Sequence, residues 1–457
     1  MWQILGVLVF CGLLSPSVGT VPGIRFVLNP AQYTQAFTDT LSRDDLLWTS
    51  LKTLPFSDIT LGSLLGIVGQ ILGLKATAVR NTGLTVVMTN EKIKIKLSLE
   101  VDISGTLIIP LNSIINICAH LDINLSFGFG NYFDGKFDIV NFQCVPTVGS
   151  IELKLLSGLL PPLLIPKIQD SISSDLSKQI CGSMNTVINA LSNIWLATGN
   201  VLLPFGSFGD FTFKLAALPT ITENYLEVTV YVYFRFAVSG VYIGIPDTDT
   251  SIALPVLGSH GCCLAIHPGT LNIALQGVIP KVPLEISNIL EVFSKAEELK
   301  DVILALLPDE VLPNLAAGDL SFKITIGTNP LFAFDSTGAT VTLSAKIEIF
   351  AKKADGSKIS VVVVRCSISA KVAISVANSK LNLGLLLFSI ALELESSSVG
   401  IIDVSSFLDP LSSLVNEAIM PVLNVPLGLG IPLPQLLKIP LVNVKIQTIV
   451  NALVICI

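Results

Sequence analysis

Apolar residues recur at every fourth position over one long stretch of the chain, and polar residues occupy most of the positions between them. The recurring residues are Ile168, Ile172, Leu176, Ile180, Met184, Ile188 and Leu191. This spacing predicts an amphipathic helix from Pro166 to Trp195 with one apolar face. The helix carries Cys181, and a strand-like segment ends at Cys144, before a turn predicted at Pro146 to Gly149. A bond between the two cysteines would fix the position of the apolar face.

Ahead of that helix, the pattern predicts one short helix and then several strands. Asn29 and Pro30 form an N-cap and first-turn pair, which predicts a helix from Pro30 to Arg43. The segment from Leu61 to Leu74 is apolar, rich in glycine and free of charge. A buried, irregular helix is the favoured interpretation of this segment, and a lipid-facing segment is the alternative. Further strands are predicted at Gly105 to Ile109, Ala119 to Phe127 and Gly135 to Cys144.

Strict alternation marks the strand that begins near residue 91. Lys92, Lys94 and Lys96 point to one side and their apolar neighbours to the other, which predicts a half-buried antiparallel strand with a solvated face. Attraction of anionic headgroups by the three lysines is the alternative interpretation. Asn124, on a later strand, lies in a glycosylation sequon and is a candidate modification site.

The second half of the chain repeats this order of elements. Alternation resumes from Leu226 to Phe234, and a polar, proline-bounded passage at 246–255 marks the predicted boundary between the halves. A helical pattern then covers 284–307, and strands follow from 320 to 394. A second amphipathic helix is predicted from Ser405 to Leu423. A sheet followed by one long helix therefore occurs twice.

Composition adds an apolar surplus to this pattern, because 51% of the residues are hydrophobic and only 13% are charged. Membrane spans, a large oligomer interface or a cavity for an apolar ligand would each explain such a surplus. Beyond the first residues, no apolar run reaches the roughly 18 to 20 residues that a membrane-crossing helix needs, so no transmembrane segment is predicted. Residues 1–20 carry no charge and end in small residues, which predicts a secretory signal peptide and a secreted, extracellular protein.

The formal charge of −7 is unevenly distributed along the chain. Residues 21–215 hold 13 basic and 14 acidic side chains, whereas residues 216–457 hold 14 and 20. Because neither half is basic, we expect no nucleic-acid binding. For the same reason we expect no strong charge-driven binding to anionic lipids or endotoxin phosphates.

Four passages together carry a family resemblance that covers nearly the whole mature chain. They are the stretch between Cys144 and Cys181, LAALPTITENYLEV at the midpoint, SSSVGIIDVSSFLDPLSSLVNEAIMPVLN, and GIPLPQLLKIPLVNVKIQTIVNALVI at the end. In this order they resemble the secreted lipid-binding family that includes bactericidal/permeability-increasing protein (BPI), lipopolysaccharide-binding protein (LBP), cholesteryl ester transfer protein (CETP) and the PLUNC airway proteins. The chain is most similar to the long PLUNC branch, BPI fold-containing family B.

The resemblance implies an α+β fold: an elongated boomerang of two domains joined by a central β-sheet. Each domain would be a twisted, antiparallel, barrel-like sheet wrapped on long amphipathic helices, with an apolar pocket between it and the central sheet. The implied divisions are a signal peptide at 1–20, an N-terminal domain at 21–215, a central sheet and linker at 216–255, a C-terminal domain at 256–437, and a strand returning to the central sheet at 438–457.

The resemblance also implies particular site residues. The single disulfide of the family falls on Cys144 and Cys181, while Cys118, Cys262, Cys263, Cys366 and Cys456 are left without an assigned partner. The candidate pocket residues are Tyr33, Phe37, Ile168, Ile172 and Leu176 in the first half, and Leu411 and Val415 in the second; each of them would equally suit an ordinary core. The chain lacks the cationic first domain of the endotoxin-neutralising members.

Motifs for catalysis are missing from the sequence: it has no G-x-S-x-G elbow, phosphate-binding loop or H-E-x-x-H, and no enzyme activity or cofactor is predicted. His260, Cys262, Cys263 and His267 could form a zinc site. Adjacent strand residues face opposite sides, however, so separate disulfides or buried thiols are the default and no metal is predicted. The run at 247–249, with two aspartates, is interpreted as a polar linker rather than a calcium site.

Taken together, these observations predict a secreted, non-enzymatic carrier that holds a lipid or another hydrophobic small molecule in apolar pockets, in mucosal or olfactory secretions or in innate defence. Transient contact with a membrane surface or a bacterial lipid is a further expectation. The alternative is a surface-active or self-assembling structural secretory protein, whose leucine-rich faces meet air, membrane or one another.

Overall fold

The computed structural model describes residues 20–43, 45–64, 67–108, 113–156, 159–246, 251–253, 255–287, 292–306, 320–352, 356–400 and 402–457. The predicted signal peptide and the aspartates of the 247–249 run lie outside the described residues. Seven α-helices are numbered in chain order within those ranges. They are α1 (Pro30–Arg43), α2 (Leu46–Leu51), α3 (Ile165–Gly199), α4 (Pro268–Val278), α5 (Ala296–Leu306), α6 (Leu408–Leu414) and α7 (Met420–Gly428).

Strands make up about half of the protein. Those of the first half and the midpoint are β1 (Ile24–Leu28), β2 (Ile59–Leu64), β3 (Ile67–Thr89), β4 (Lys92–Ile108), β5 (Ser113–Phe133), β6 (Lys136–Leu155), β7 (Val201–Phe205), β8 (Gly209–Leu215), β9 (Thr220–Ile221), β10 (Leu226–Phe236) and β11 (Tyr242–Gly244). Those of the second half are β12 (Cys262–Ile266), β13 (Leu284–Ile286), β14 (Leu320–Ile326), β15 (Leu331–Asp335), β16 (Gly338–Lys352), β17 (Lys358–Ala377), β18 (Lys380–Ser397), β19 (Ile431–Pro432), β20 (Lys445–Ile449) and β21 (Ala452–Cys456).

These strands form three antiparallel sheets. The N-terminal sheet has the order β2-β3-β4-β5-β6, and the C-terminal sheet has the order β13-β14-β16-β17-β18-β19, with β15 on β16. The central sheet, β20-β21-β12-β1-β10-β8-β7, takes strands from both halves, and β9 and β11 add to β10. The sheets are twisted, but none closes into a barrel, so the barrel-like domains expected from the family resemblance are open sheets covered by helices.

The two halves meet in the central sheet through matching strand-to-helix units. Strand β1 leads into α1, strand β12 leads into α4, and the two strands pair antiparallel. Each helix is capped just before its first proline: the Asn29 Oδ1 accepts from the Gln32 N–H at 2.7 Å, and the His267 Nδ1 accepts from the Gly269 N–H at 2.9 Å. These caps satisfy amide groups that the first helical turn leaves unpaired.

Several elements form where the sequence predicts them. The first helix has the predicted bounds, and the long helix α3 contains the whole predicted span and buries its apolar stripe. On β4, Ile93, Ile95 and Leu97 are buried while Lys94 and Lys96 are exposed, which confirms the half-buried strand. The second long helix is built from a 3-10 turn (Val404–Phe407), α6, a π-helical turn (Val415–Ile419) and α7.

Three expectations from the sequence are wrong. In the predicted helical segment Leu61 to Leu74, the described residues 61–64 and 67–74 are strand instead and belong to β2 and β3. Pairing of these strands with each other, and of β3 with β4, satisfies their backbone groups. Strand β6 runs on through Pro146 to Gly149 without a turn; it is an edge strand, where the N–H that proline lacks is not needed for pairing. The segment 284–307 is predicted to be helical, but it begins with strand β13, and its helix starts only at Ala296.

Two helical glycines provide a matched test of packing between α4 and the central sheet. A Cβ added at Gly277 would lie 2.6 Å from Cε1 of Phe234, a fully buried ring, whereas a Cβ at Gly182 on α3 would meet nothing within 4 Å. We therefore expect Gly277→Ala to destabilise the protein by about 1–3 kcal/mol through overpacking. Gly182→Ala should stabilise it by about 0.5–1 kcal/mol through helix propensity. Denaturant unfolding of both variants measures the difference, and equal effects would contradict this packing.

Candidate functional site

The pocket candidates of the first half are brought together, but they are tightly packed. Tyr33 and Phe37 on α1, and Ile168, Ile172 and Leu176 on α3, are each at most 2% exposed and belong to one apolar core. The Tyr33 ring meets a tryptophan ring of α3 edge-on, with 5.2 Å between centroids. The described structure therefore shows these five residues as core, and their role in ligand binding stays a prediction.

One polar atom in this core lacks a partner. In the part of the chain that the structure describes, the buried hydroxyl of Tyr33 makes no hydrogen bond. Burial raises the pKa of Tyr33 well above its usual value, so the group stays a neutral donor. A buried hydroxyl without a partner costs about 1–3 kcal/mol. The first-half core thus contains a hydrogen-bonding position that a ligand atom would satisfy.

The candidates of the second half are equally enclosed. Leu411 and Val415 are fully buried on the second long helix. That helix lies along β18, where the side-chain amide of Asn424 exchanges two hydrogen bonds with the backbone of Leu385, at 2.7 and 2.9 Å. A ligand could reach Leu411 or Val415 only if this helix moved, and their role likewise stays a prediction.

An open apolar cleft lies elsewhere, at the end of β10 in the central sheet. We call it the Phe236 cleft; its volume is about 640 Å³. Its walls come from the β7–β8 turn, the β10–β11 connection and the segment after α4. The lining residues are Ser207, Phe208, Phe236, Val238, Ser239, Val241, Gly277, Val278, Ile279, Pro280, Lys281 and Val282. Sequence analysis missed this site, because three connections far apart in the chain build it.

Among the described residues, Lys281 is the one charged side chain that lines the Phe236 cleft. Its Nζ lies 4.6 Å from the centroid of the Phe236 ring and donates to the carbonyl oxygen of Gln276 at 2.9 Å. Partial desolvation lowers the pKa of Lys281 below its usual value. The cleft therefore combines apolar walls with a single cation, an arrangement that suits an amphiphile with an anionic group.

A polar cluster occupies the outer face of the N-terminal sheet. Arg80 bonds the carboxylates of Glu100 and Asp102 at 2.7 and 2.8 Å, and the Cys118 thiol donates to Glu100 at 3.1 Å. Arg80 is the main cause that lowers the pKa of Glu100 to about 2, while burial and the carboxylates raise the pKa of Cys118 to about 12. The two carboxylates and the thiol converge as metal ligands would, but Arg80 already pairs with both carboxylates and the thiol stays protonated.

The part of the chain that the structure describes contains two disulfides. The predicted bond between Cys144 and Cys181 is confirmed, and it joins β6 to α3. A second bond, which the sequence did not reveal, joins Cys263 on β12 to Cys456 on β21. Among the other cysteines of the described ranges, Cys118, Cys262 and Cys366 are free thiols. Within 260–267, the default interpretation of a disulfide or a buried thiol is confirmed, because Cys263 is in a disulfide, Cys262 is a buried free thiol, and His267 caps α4.

The candidate glycosylation residue is exposed to solvent. Asn124 is exposed on the outer face of β5, between Lys96 of β4 and Val145 of β6. Its modification stays a prediction. No helix within the described ranges is both long and apolar enough to cross a membrane.

Comparison with known proteins identifies the family. Models of the LBP/BPI/CETP family match residues 46–193 as the N-terminal domain and residues 303–456 as the C-terminal domain, together more than half of the chain. The chain belongs to the LBP/BPI/CETP family. Members of this family generally bind lipids, and the predicted family resemblance is confirmed.

Individual relatives place the chain within the family. It is 24% identical over 346 residues to mouse BPI fold-containing family B member 3, covering 76% of this chain and 72% of the relative. It is 24% identical over 319 residues to human BPI fold-containing family B member 4, covering 68% and 52%. The crystal structure of lipopolysaccharide binding protein shares the fold with a TM-score of 0.60 at 15% identity, covering 95% of this chain and 98% of that one.

Proposed function

We propose that this protein is a secreted, non-enzymatic carrier of lipid or another hydrophobic small molecule, and that the Phe236 cleft binds an amphiphile with an anionic group, such as a fatty acid. The observation that carries the proposal is the open cleft with apolar walls and one cation, Lys281. The lipid-binding character of the family supports the ligand class. Two disulfides support secretion, because such bonds persist in oxidising compartments.

Apolar contact alone gives the cleft enough affinity for such a role. Each methylene that leaves water contributes about 0.8 kcal/mol, and ligand sites commonly have volumes of about 300–1,000 Å³, a range that includes this cleft. The ammonium group of Lys281 would orient the anionic end of the ligand at the mouth. No reactive side chain is required for binding and release.

A second ligand position is proposed at the packed core around Tyr33, reached when α1 and α3 separate. There the unpartnered hydroxyl would bond a polar atom of the ligand. We expect Tyr33→Phe to raise the stability of the ligand-free protein by about 1 kcal/mol, because it removes a buried unsatisfied group. The same variant should bind ligand more weakly at this position. Thermal unfolding with and without ligand measures both effects, and a loss of stability in the ligand-free variant would contradict the proposal.

Competition with a fluorescent fatty acid tests the proposed function on the whole protein. Saturable binding of the probe, and its displacement by an unlabelled fatty acid, is the expected result. A short soluble acid with the same carboxylate but no chain should displace little, since the apolar walls provide most of the affinity. Absence of saturable binding at micromolar protein would overturn the proposal.

A further inference from the structure

A groove on the outer face of the N-terminal sheet surrounds the candidate glycosylation residue. Its volume is about 340 Å³. The sequence contains one N-x-S/T sequon, which begins at Asn124 and ends at Ser126, and both residues line the groove. We call it the Asn124 groove. The lining residues that matter here are Val87, Lys94, Asn124, Ser126, Gln143 and Val145.

Strand pairing places these residues side by side on one face. Asn124 of β5 lies directly opposite Val145 of β6. Side chains that are directly opposite on neighbouring strands have Cβ atoms about 5 Å apart, so a group attached to Asn124 meets Val145 first. The next row of the same face crosses four strands and consists of Val87, Lys94, Ser126 and Gln143.

The Asn124 groove combines apolar surface with hydrogen-bonding groups. Val145 and Val87 are 60% and 50% exposed. Lys94, Ser126 and Gln143 add an ammonium, a hydroxyl and an amide group. A sugar ring has the same two kinds of surface, an apolar face of C–H groups and a rim of hydroxyls. The groove therefore matches the first sugars of a glycan attached to Asn124.

Strand β6, beside the sequon, leaves one edge of the N-terminal sheet open. The sheet order ends at β6, and in the part of the chain that the structure describes no strand pairs with its other side. Helix α3 covers the inner face through the bond between Cys144 and Cys181, whereas Val145 points the opposite way. Residues 139–151 contain no Asp, Glu, Lys or Arg. A long edge without charge is liable to pair with the same edge of another copy.

The corresponding edge of the C-terminal sheet is protected without a glycan. Its last long strand, β18, pairs with β19 over only two residues. Beyond them, the side-chain amide of Asn424 bonds the backbone of Leu385, and Glu393 and Glu395 are exposed. Charged side chains are a common means by which proteins prevent pairing of edge strands. The middle of β6 lacks such charges, and the sequon lies on the strand next to it.

We propose that an N-linked glycan on Asn124 lies in the Asn124 groove, covers Val145 and prevents the open edge of β6 from pairing with a second copy of the chain. A glycan is bulky and hydrophilic, so it occupies the space that a second strand would need. Its first sugars remove part of Val87 and Val145 from water, which a glycan that extends freely into solvent does not. The proposal rests on the predicted modification of Asn124 and is independent of the Phe236 cleft in the central sheet.

Two variants of the full secreted chain test the effect of the glycan on association. Asn124→Gln removes the acceptor, Ser126→Ala removes the sequon hydroxyl, and intact mass verifies the loss of the glycan in both. Light scattering over a range of concentrations should show a self-association constant about tenfold or more above that of the wild type, the factor that burial of one exposed valine provides. Ser126→Thr keeps the sequon and is the matched control, so its association should equal that of the wild type.

A charge on the edge should replace the glycan. Val145→Lys added to Asn124→Gln should return association to the wild-type level, because a lysine on an edge strand opposes pairing. Leu386→Lys added to Asn124→Gln puts the same charge on β18, where the leucine is 61% exposed, and should leave association high. If Asn124→Gln alone is not secreted, Val145→Lys should restore secretion and Leu386→Lys should not.

Enzymatic trimming tests whether the sugars lie in the groove. An endoglycosidase that leaves a single sugar on the folded protein removes most of the glycan but not the part that contacts Val145. Amide hydrogen exchange at 143–147 should be slow in the wild type, remain slow after trimming and become faster in Asn124→Gln. Fast exchange that begins with trimming would show a glycan that extends into solvent and would overturn its placement in the groove.

Three other results would overturn the proposal. The first is an unmodified Asn124 in peptides of the secreted wild-type protein. The second is equal self-association of the wild type and both glycan-free variants. The third is rescue by Leu386→Lys to the same extent as by Val145→Lys, which would show that net charge, and not the edge of β6, controls association.

Discussion

Replacing Cys263 and Cys456 together by alanine is expected to lower the free energy of unfolding by about 5 kcal/mol. The two residues are 193 positions apart, and a bond that closes so long a loop removes much conformational freedom from the unfolded chain. The bond lies inside the central sheet, where the two cysteines are directly opposite each other in register. It ties the last strand to the strand that starts the second half.

Denaturant unfolding under non-reducing conditions measures this loss of stability. Two control variants are compared with the double variant. The pair Cys144→Ala with Cys181→Ala opens a bond of sequence separation 37, for which the same estimate is about 4 kcal/mol. The single variant Cys262→Ala changes a buried free thiol next to the second bond and should cost about 1 kcal/mol. If the Cys263 and Cys456 double variant lost no more stability than Cys262→Ala, the second disulfide would not stabilise the folded protein as expected.

Changing the single cation of the Phe236 cleft is expected to alter ligand choice. Lys281→Met keeps the apolar stem and removes the charge, so affinity for a fatty acid should fall about fivefold while affinity for the matching fatty alcohol stays the same. Val282→Asp adds an anion at the mouth and should weaken binding of both ligands. The control is Lys371→Met, because Lys371 also sits over a phenylalanine ring, Phe388, at 4.8 Å, but on the C-terminal sheet.

The same cation predicts a pH dependence for fatty-acid binding. The pKa of Lys281 is lowered by desolvation, so its charge is present at neutral pH and is lost as pH rises through a value below the usual 10.5 of lysine. Fatty-acid affinity should therefore fall on the alkaline side in the wild-type protein and stay flat there in Lys281→Met. Titration of a fluorescent fatty acid across pH measures this. A wild-type profile identical to that of the variant would show that Lys281 does not bind the carboxylate.

The sequence predicted those parts of the fold that local pattern determines. Alternation on β4 and the four-residue spacing on α3 each specify one buried face, and an asparagine before Pro30 specifies where α1 begins. The segment from Leu61 to Leu74 has neither period, because glycine interrupts an otherwise apolar run. Only pairing of β2 with β3, and of β3 with β4, makes its described residues strands.

The site was harder to predict than the fold. The partner of Cys263 is near the end of the chain, and sequence separation contains no information about which strands become neighbours. The Phe236 cleft depends on sheet topology in the same way, and before folding Lys281 is an ordinary lysine in a connection. Candidates such as Ile172 and Leu411 were chosen because they lie on the apolar face of a predicted helix. Core residues and ligand-lining residues both occupy such a face, and in the structure Ile172 and Leu411 are fully buried.

The measurement that most directly tests the carrier function is native mass spectrometry of the protein collected from the medium of cells that secrete it. We expect a fraction of molecules to be heavier than the bare chain by the mass of a lipid. The lipid should be released on gentle activation, and the heavier fraction should be smaller in Val282→Asp. A single ligand-free mass, together with no displacement of a fluorescent fatty acid by any lipid extract, would contradict it.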